Sequence, residues 1–317
     1  MPADGSIPIV LAIDVEPDNR DSPPGSGVDV TGFRRTVAAL GSLRPRLEHA
    51  TGQPVKYAWF VRMDPQVAAQ GGRPEALLSD APELADAIEE AGDVIGLHTH
   101  VGRWDAAAEA WVADHANAAW IDQCLETSFA AFADRFGRPC REHRFGDRFS
   151  SPAGFERLAA LGARVDLTPE PGQPGVSRPP HLARSTGRIP SYATVPRSPH
   201  RSGGEGSLWL LPLTSADPAP GMGPGQRWAR RLRYLGQPRH RTLLLDRQWP
   251  SAGLLWDLAE GQLERGERHL AFVIRSDLVL GPRWAGASAV LEALLQRPLV
   301  RRLAFVGGEE AVQLAVG

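Results

Sequence analysis

Two histidines separated by one residue follow an apolar stretch in DVIGLHTHVGRW, residues 93–104. On a β-strand, residues i and i+2 point to the same side, so His98 and His100 could reach one metal ion together. Such a metal would also need an oxygen ligand from elsewhere in the chain and an open position for chemistry. The pair alone is a weak signal, because the nine histidines of this chain would produce roughly 0.2 such pairs by chance.

Charged residues follow four other apolar stretches, each where a predicted strand ends. They are Asp14, Glu16 and Asp18 after the first strand, Arg62 and Asp64 after the second, Arg144, Asp147 and Arg148 after the fourth, and Arg275 and Asp277 after a late strand. Catalytic side chains of α/β barrels gather at the carboxyl ends of the strands. The pattern predicts one polar site at the mouth of a barrel, with structural ion pairs as the alternative.

The elements that must position these residues alternate between strand and helix. Strands are predicted over 7–14, 55–64, 93–100, 141–146, 164–169, 206–215, 269–278 and 301–306, with 241–246 ambiguous. Helices are predicted over 31–52, 79–92, 106–136, 152–163, 226–236, 251–266 and 286–296. Such alternation favours a parallel sheet with crossover helices, and the number of repeats favours an α/β barrel of seven or eight parallel strands.

We expect a single domain over residues 1–317 with one interruption. Residues 169–206 are dense in Pro, Gly and Ser. Loops of this length are uncommon in compact domains unless they are functional or disordered. The segment is therefore either a floppy insertion or a cover over the active site.

Composition limits the class of protein. The chain is 42% hydrophobic and 23% charged, with a formal net charge of −2. This predicts a globular protein without general attraction to nucleic acid or anionic membranes, and no apolar run is long enough to span a bilayer. Two cysteines do not make a disulfide framework, and the first residues lack a secretory signal, so we expect a cytoplasmic location. The oligomeric state is left open.

The motifs LAIDVEPD, IGLHTHVGRW, FGDR after Arg144, and SLWLLPLT stand in a recognisable order. In this order the chain resembles the polysaccharide deacetylases over most of its length, from about Ile9 to Val306. That superfamily has a distorted (β/α) barrel and a metal-dependent site for N- or O-deacetylation. The resemblance implies the same fold and a divalent metal, with Zn²⁺ expected.

The resemblance also implies roles for individual residues. Asp14 would be the catalytic base, His98 and His100 would bind the metal, and Arg144 would hold Asp14 through charge-assisted hydrogen bonds. The family commonly has a second aspartate next to the base, where this chain has Val15. The carboxylate ligand must then be Asp14, Glu16 or Asp18, and we assign Glu16. A further departure is Gly102, which stands where the family often has its other histidine.

The most serious departure is Arg275, which stands where many members have a histidine that acts as general acid. Arginine stays protonated, so it cannot deliver and recover a proton. Either Asp277 or another group protonates the leaving amine, or Arg275 binds substrate charge, or deacetylation has been lost. We assign both Arg275 and Asp277 to the catalytic site.

The predicted function is a metal-dependent hydrolase that removes an acetyl group from an amino sugar or glycan. The alternatives are an impaired barrel that only binds a glycan and a hydrolase of a non-sugar amide. Substrate-binding roles are assigned to Arg62, Asp64, Trp104, Asp147 and Arg148, and Trp104 is either a flat platform for a sugar ring or a core residue. The basic run 227–241 could contact an anionic ligand, although a solvated helix face is the simpler interpretation.

Overall fold

In the computed structural model, which describes residues 5–176, 184–203, 207–217, 241–245 and 249–317, strands and helices alternate along much of the chain. The strands are β1 (Ile7–Val15), β2 (Ala58–Arg62), β3 (Val94–Thr99), β4 (Gly102–Asp105), β5 (Ala110–Asp114), β6 (Glu142–Phe145), β7 (Val165–Asp166), β8 (Ser185–Thr186), β9 (His200–Arg201), β10 (Trp209–Leu210), β11 (Ser215–Ala216), β12 (Arg241–Thr242), β13 (Leu270–Arg275) and β14 (Leu303–Phe305). The helices are α1 (Thr31–Thr51), α2 (Pro65–Gly71), α3 (Ala76–Ser79), α4 (Pro82–Glu90), α5 (Ala118–Phe136), α6 (Pro152–Ala160), α7 (Ala252–Glu264), α8 (Pro282–Leu295) and α9 (Gly308–Val316).

Local sequence sets several helix ends. The side chains of Asp64, Asn117 and Ser151 accept backbone N–H groups at the starts of α2, α5 and α6, which is the usual work of an N-cap. Helices α1 and α5 end at Gly52 and Gly137, whose φ angles of 69° and 62° suit glycine. Strand β1 and helix α1 lie close to their predicted bounds. After β2, helices α2 and α3 precede the predicted helix over 79–92, and α4 forms most of that helix.

The main sheet has the strand order β13-β1-β2-β3-β6-β7-β10-β9, and β14 pairs with the start of β1. Eight of these strands run parallel, and β9 is antiparallel to β10. The predicted distorted barrel of seven or eight parallel strands is confirmed.

The distortion is concentrated after β10. The backbone N–H of Leu211 donates to Asp166 at 2.9 Å, and that of Thr214 donates to Ala271 in β13, also at 2.9 Å. The segment 211–214 therefore hydrogen-bonds to β7 on one side of the gap between β10 and β13 and to β13 on the other. Pro212 lies within this segment and has no N–H to donate, so a regular ladder cannot run through it.

Residues of β1 alternate between two buried environments. Ile9, Leu11 and Ile13 belong to the core between the sheet and its helices, whereas Val10 and Ala12 belong to a second core inside the barrel. The period of two then carries the following even-numbered residues toward the barrel interior. In β2, β3 and β6 the even-numbered residues likewise point toward the barrel interior. This alternation determines which side chains reach the site.

The predicted helix over 106–136 is wrong in its first part. Residues 102–114 form the β4–β5 hairpin, and α5 begins only at Ala118. The Asp105 side chain accepts the N–H groups of Ala107 and Ala108 and holds the turn. Pairing of β5 with β8 also outweighs the helix propensity of the alanines.

Parts of the predicted 169–206 insertion are joined to the barrel. Strand β8 pairs with β5, and β9 pairs with β10. The single-domain organisation over 1–317 stays a prediction, and the predicted helix over 226–236 and nearly all of the basic run 227–241 lie outside the described residues. Across the described ranges, no helix combines the length and apolar character needed to cross a bilayer. Both cysteines are buried and free.

Candidate functional site

Two cavities lie where the first, second, third, sixth and thirteenth strands end. The larger, of about 460 Å³, is bordered by Asp14, Glu16 and His98, among others. The smaller, of about 280 Å³, extends toward the β4–β5 hairpin. Arg20, His100 and Asp147 border both, so the two are lobes of one cleft.

The centre of the cleft is a cluster of three buried side chains that could hold a metal ion, namely Glu16, His98 and His100. Glu16 Oε1 is 3.0 Å from His100 Nε2 and 3.4 Å from His98 Nε2, and the two Nε2 atoms are 3.1 Å apart. Ligand atoms around a tetrahedral zinc ion, with bonds of about 2.0–2.1 Å, are separated by about 3.3 Å. The donor set and its spacing therefore fit a divalent cation such as Zn²⁺.

The opposite ring nitrogens define the tautomers. His98 Nδ1 lies 3.0 Å from the backbone oxygen of Arg144, and His100 Nδ1 lies 3.1 Å from Asp147 Oδ2. These oxygens can only accept, so each Nδ1 carries a hydrogen, and each Nε2 that carries no proton presents its lone pair to Glu16. A hydrogen-bonded second nitrogen is the usual way in which a protein orients a metal-binding histidine.

Without a metal, three acceptor atoms this close repel one another unless a proton lies between them. Burial opposes a charge on His100, but the carboxylates of Glu16 and Asp147 outweigh it and raise the pKa of His100 to about 9. Burial likewise opposes ionisation of Glu16, yet the two histidines and Arg62 hold the pKa of Glu16 well below its usual value. The cluster thus favours positive charge at its centre, supplied by a proton or by a cation.

Arg62 and Asp64 support this cluster from behind. Arg62 NH1 donates to Glu16 Oε2 at 3.1 Å, and its Nε and NH2 bind both oxygens of Asp64 at 2.8 and 2.9 Å. Asp64 also accepts the backbone N–H of His100 at 3.1 Å. Arg62 and Asp64 are only 1% and 0% exposed. Arg62 also borders the smaller cavity. The substrate-binding role of both residues stays a prediction, and these contacts show that they hold Glu16 and His100 in position.

Asp14 lies beside the cluster and borders the larger cavity. Its carboxylate accepts from Arg144 Nε at 3.1 and 3.2 Å, and Oδ1 is 3.8 Å from His98 Nδ1. Arg144 also donates to the backbone oxygen of Leu167 and lies 3.6 Å from Glu170. Burial disfavours the Arg144 cation, but Asp14 and Glu170 outweigh this and raise its pKa. The structure thus places Arg144 in direct contact with the Asp14 carboxylate, in the arrangement that the resemblance implies.

Arg275 is aligned with Asp14 in the β1–β13 register and borders the larger cavity. Its Nε and NH2 donate to the two oxygens of Asp277 at 3.1 and 2.5 Å. Burial opposes its charge, but Glu16 and Asp277 raise the pKa of Arg275 above its ordinary value. Arg275 therefore stays protonated. Asp277 is not among the described residues that line the two cavities.

No protein-family model matches the sequence, and no curated protein matches it either. A Mycobacterium smegmatis structure named as a polysaccharide deacetylase is similar over 99% of this chain and 92% of its own, with 16% identity and a TM-score of 0.51. A Parabacteroides distasonis structure named as a glycoside hydrolase/deacetylase is similar over 99% of this chain and 72% of its own, with 12% identity and a TM-score of 0.54.

This chain has the polysaccharide deacetylase fold. At such low identity the comparison shows the fold alone, and the chemistry has to be argued from the residues of this site. A Streptomyces lividans family 4 carbohydrate esterase is also similar, with 10% identity over 94% of this chain and 91% of its own, at a TM-score of 0.39.

Within this deacetylase fold, the turn Gly146–Arg148 brings a strained backbone to the site. A Cβ on Gly146 would lie 2.3 Å from His100 Nε2, so only glycine allows the imidazole to approach. Asp147 and Arg148 follow with φ angles of 54° and 59°, a region that non-glycine residues rarely adopt. This turn brings the Asp147 carboxylate within hydrogen-bond distance of His100 Nδ1, and Arg148 borders the larger cavity.

The predicted sugar platform Trp104 lies one layer back from the smaller cavity. Trp104 packs edge-on against Trp111 with ring centroids 5.2 Å apart, and Trp111 borders the cavity. Trp111 was missed because residues 106–136 were assigned to one helix. On a hairpin, Trp111 is the cross-strand partner of Trp104, so a correct assignment would have identified it.

Other residues of the larger cavity were also missed. Glu170 follows the fifth predicted strand just as other site residues follow theirs, so the strand-end rule could have found it. Arg20 lies in the same turn as Glu16, 3.7 Å from its carboxylate. Gln173 and Arg283 have no comparable sequence signal, because each lies beyond a strand end in an irregular or helical segment.

Proposed function

We propose that this protein is a metal-dependent hydrolase that removes an acyl group, most simply acetyl, from an amino sugar or glycan. The observation that supports it is the convergence of the Glu16 oxygen and two histidine lone pairs beside Asp14. Glu16, His98 and His100 would hold the divalent cation, with Zn²⁺ as the first choice. The cation would supply Lewis-acid polarisation of the acyl carbonyl and of a water molecule. A cytoplasmic location is part of this proposal and stays a prediction.

Asp14 is the proposed general base. It accepts the proton of the attacking water, and Arg144 Nε holds both of its oxygens so that the carboxylate keeps one orientation. Arg144 is in turn fixed by the Leu167 carbonyl oxygen at 2.8 Å. The pair resembles a base and its orienting partner in other hydrolases, with an arginine as the partner.

Proton delivery to the leaving nitrogen falls to the same carboxyl group. Arg275 stays protonated, and Asp277 is bound at both oxygens by Arg275. The proton that Asp14 takes from water is therefore the one it returns to the leaving amine. An ester substrate needs less assistance, because an alkoxide is a better leaving group than an amide anion.

A second candidate is a barrel that binds an acylated glycan without hydrolysing it. Arg275 in the position of the missing general acid favours this candidate. A hydrolase of a non-sugar amide is the third, since the cluster itself does not distinguish one acyl amide from another.

The test combines metal content with product formation. We expect the purified protein to bind one zinc ion and to release acetate from at least one member of a panel of acetylated sugars. Asp14→Asn should keep zinc and lose at least about 100-fold in kcat, the usual contribution of general acid–base catalysis. The control is Asp86→Asn, a matched change at an exposed position of α4, which should change neither quantity.

Four outcomes would contradict parts of this proposal. A protein that takes up no divalent metal refutes the metal site. Wild-type turnover by Asp14→Asn removes Asp14 from the base role. Zinc binding and sugar binding without acetate release favour the second candidate, and hydrolysis of cyclic amides but not sugars favours the third.

A further inference from the structure

The larger cavity is rich in arginine. Of its sixteen described lining residues, six are arginines: Arg20, Arg144, Arg148, Arg241, Arg275 and Arg283. The whole chain has 35 basic residues among 317, and Lys56 is its one lysine. Arginine is thus concentrated at this cavity well beyond its frequency in the chain.

Arg20, Arg144 and Arg275 each lie within ion-pair distance of a protein carboxylate. Arg144 binds Asp14, Arg275 binds Asp277, and Arg20 lies 3.7 Å from Glu16. The architecture of the site itself therefore accounts for these three positive charges.

Arg148 differs from them. It is half-buried, and its one recorded side-chain hydrogen bond among the described residues runs from NH1 to Gln173 Oε1 at 3.4 Å. No carboxylate oxygen in that part of the chain forms an ion pair with it. Gln173 in turn donates to Thr242 at 3.1 Å, so a neutral amide orients the guanidinium without neutralising it. A half-buried cation without a counter-charge is costly unless a ligand supplies one.

The backbone holds Arg148 in place at a further cost. Its φ of 59° is unusual for a non-glycine residue, and its carbonyl oxygen accepts from the buried Tyr192 hydroxyl at 2.9 Å. The same hydroxyl lies 2.7 Å from Ser150 Oγ. A rigid, strained position of this kind is typical of groups that are preorganised for a ligand.

We propose that the substrate carries an anionic group, a carboxylate or a phosphate, alongside its acyl group, and that Arg148 binds that anion. A planar guanidinium suits both anions through paired hydrogen bonds. The inference rests on the proposed function, because it concerns the substrate of that same site.

The test measures binding of three probes to zinc-loaded Asp14→Asn protein, in which no probe should be consumed. N-Acetylglucosamine is neutral, N-acetylglucosamine 6-phosphate adds a phosphate, and N-acetylmuramic acid adds a carboxylate. By titration calorimetry, at least one anionic probe should bind about tenfold or more tighter than the neutral sugar. Whichever anionic probe binds more tightly identifies the type of anion.

A second substitution then assigns the effect. Arg148→Gln should lower affinity for the preferred anionic probe about tenfold and leave the neutral sugar unchanged. Arg35→Gln is the matched control, since Arg35 is exposed on α1, and it should change neither affinity. Equal affinity for all three probes overturns the inference, as does an equal loss for charged and neutral probes in Arg148→Gln.

This readout separates the two proposals. Discrimination by charge with no acetate release in the wild-type protein supports the anion site and counts against the hydrolase. Acetate release without any preference for charge supports the hydrolase and counts against the anion site.

Discussion

Two sets of buried histidines lie on opposite faces of neighbouring strands. His98 and Arg144 are partners in the β3–β6 register and turn toward the barrel interior, whereas His143, one residue earlier, turns toward α5. All the histidines concerned are almost inaccessible to solvent: His98 is 2% exposed, His100 7% and His143 0%. Burial therefore does not distinguish His98 and His100, to which we assign a metal, from His143.

The partners of the second ring nitrogen do distinguish them. His143 Nδ1 donates to Asp166 Oδ2 at 2.8 Å, and its Nε2 accepts from the Thr99 hydroxyl at 3.1 Å. Burial lowers the pKa of His143 in spite of Asp166, so the ring is neutral and both nitrogens are satisfied. His98 and His100 have the same kind of acceptor at Nδ1, but among the described residues their Nε2 atoms contact Glu16 and each other.

The inner face therefore requires a positive charge that the outer face does not. On the outer face, Asp166, His143 and Thr99 form a closed chain of donors and acceptors. On the inner face, three acceptors converge and remain compatible only if a proton or a cation joins them. The largest test of this difference is therefore metal binding.

We expect His98→Ala and His100→Ala each to abolish zinc retention while leaving the fold intact. Removing a ligand should cost more than the roughly 100-fold upper range for residues that only orient one. Zinc content is measured by mass spectrometry of the metal after gel filtration, and folding by circular dichroism. His143→Ala is the matched control: it should keep zinc and lose roughly 2–4 kcal/mol of unfolding free energy, because Asp166 is left buried without its partner. Full zinc content in both ligand variants would remove the assignment.

The inner face was accessible to sequence reasoning because period two is robust in strands. Asp14 and Glu16, and likewise His98 and His100, are two residues apart, so each pair had to share a side once its strand was identified. Parallel strands bring their carboxyl ends to one edge, which is why residues from distant segments were expected to meet. These two rules predict that Glu16, His98 and His100 lie near one another, but they do not select Glu16 over Asp14, which shares its side.

The sequence could not show how deeply each side chain lies in the site or which groups it contacts. Parity placed Arg62 and Asp64 on the inner face, but it could not say whether a guanidinium reaches a neighbouring carboxylate or an open cavity. That depends on the distance between β1 and β2 and on the room behind Glu16. The turn at Asp147 and Arg148 was equally hidden, because left-handed backbone in non-glycine residues has no reliable sequence signal.

Asp147→Asn and Asp166→Asn form a second matched pair, since each removes a charge from the Nδ1 partner of one histidine. We expect Asp147→Asn to weaken zinc affinity by about 10- to 100-fold, because the ring of His100 loses orientation and basicity. Asp166→Asn should leave zinc affinity unchanged and lower stability instead. Competition with a chromogenic chelator measures the affinities. Equal zinc affinities in the two variants would mean that Asp147 does not support the metal site.

The smallest expected effect is on the pH dependence of stability. It is measured on metal-free protein, and a chelator keeps the protein free of metal. The pKa of His100 is raised to about 9 from an ordinary 6.5, so protonated His100 stabilises the fold. That stabilisation is fully present below pH 6.5 and is lost as pH rises toward 9. Between pH 6.5 and 8.5 the loss is on the order of 2 kcal/mol. His143 has the opposite sign, because its pKa is lowered, and stability should be lost as pH falls below 6.5.

The loss of stability above pH 6.5 is the alkaline limb of the profile, and the loss below pH 6.5 is the acidic limb. Substitutions can separate the two. Urea denaturation of the metal-free protein at several pH values should show a maximum near pH 6.5. His100→Ala should flatten the alkaline limb and keep the acidic one, and His143→Gln should do the reverse. The buried cysteines also destabilise the fold at high pH, since burial raises the pKa of both thiols, but His100→Ala leaves that contribution in place. An alkaline limb that is equally steep in wild type and His100→Ala would show that no proton bridges Glu16 and His100.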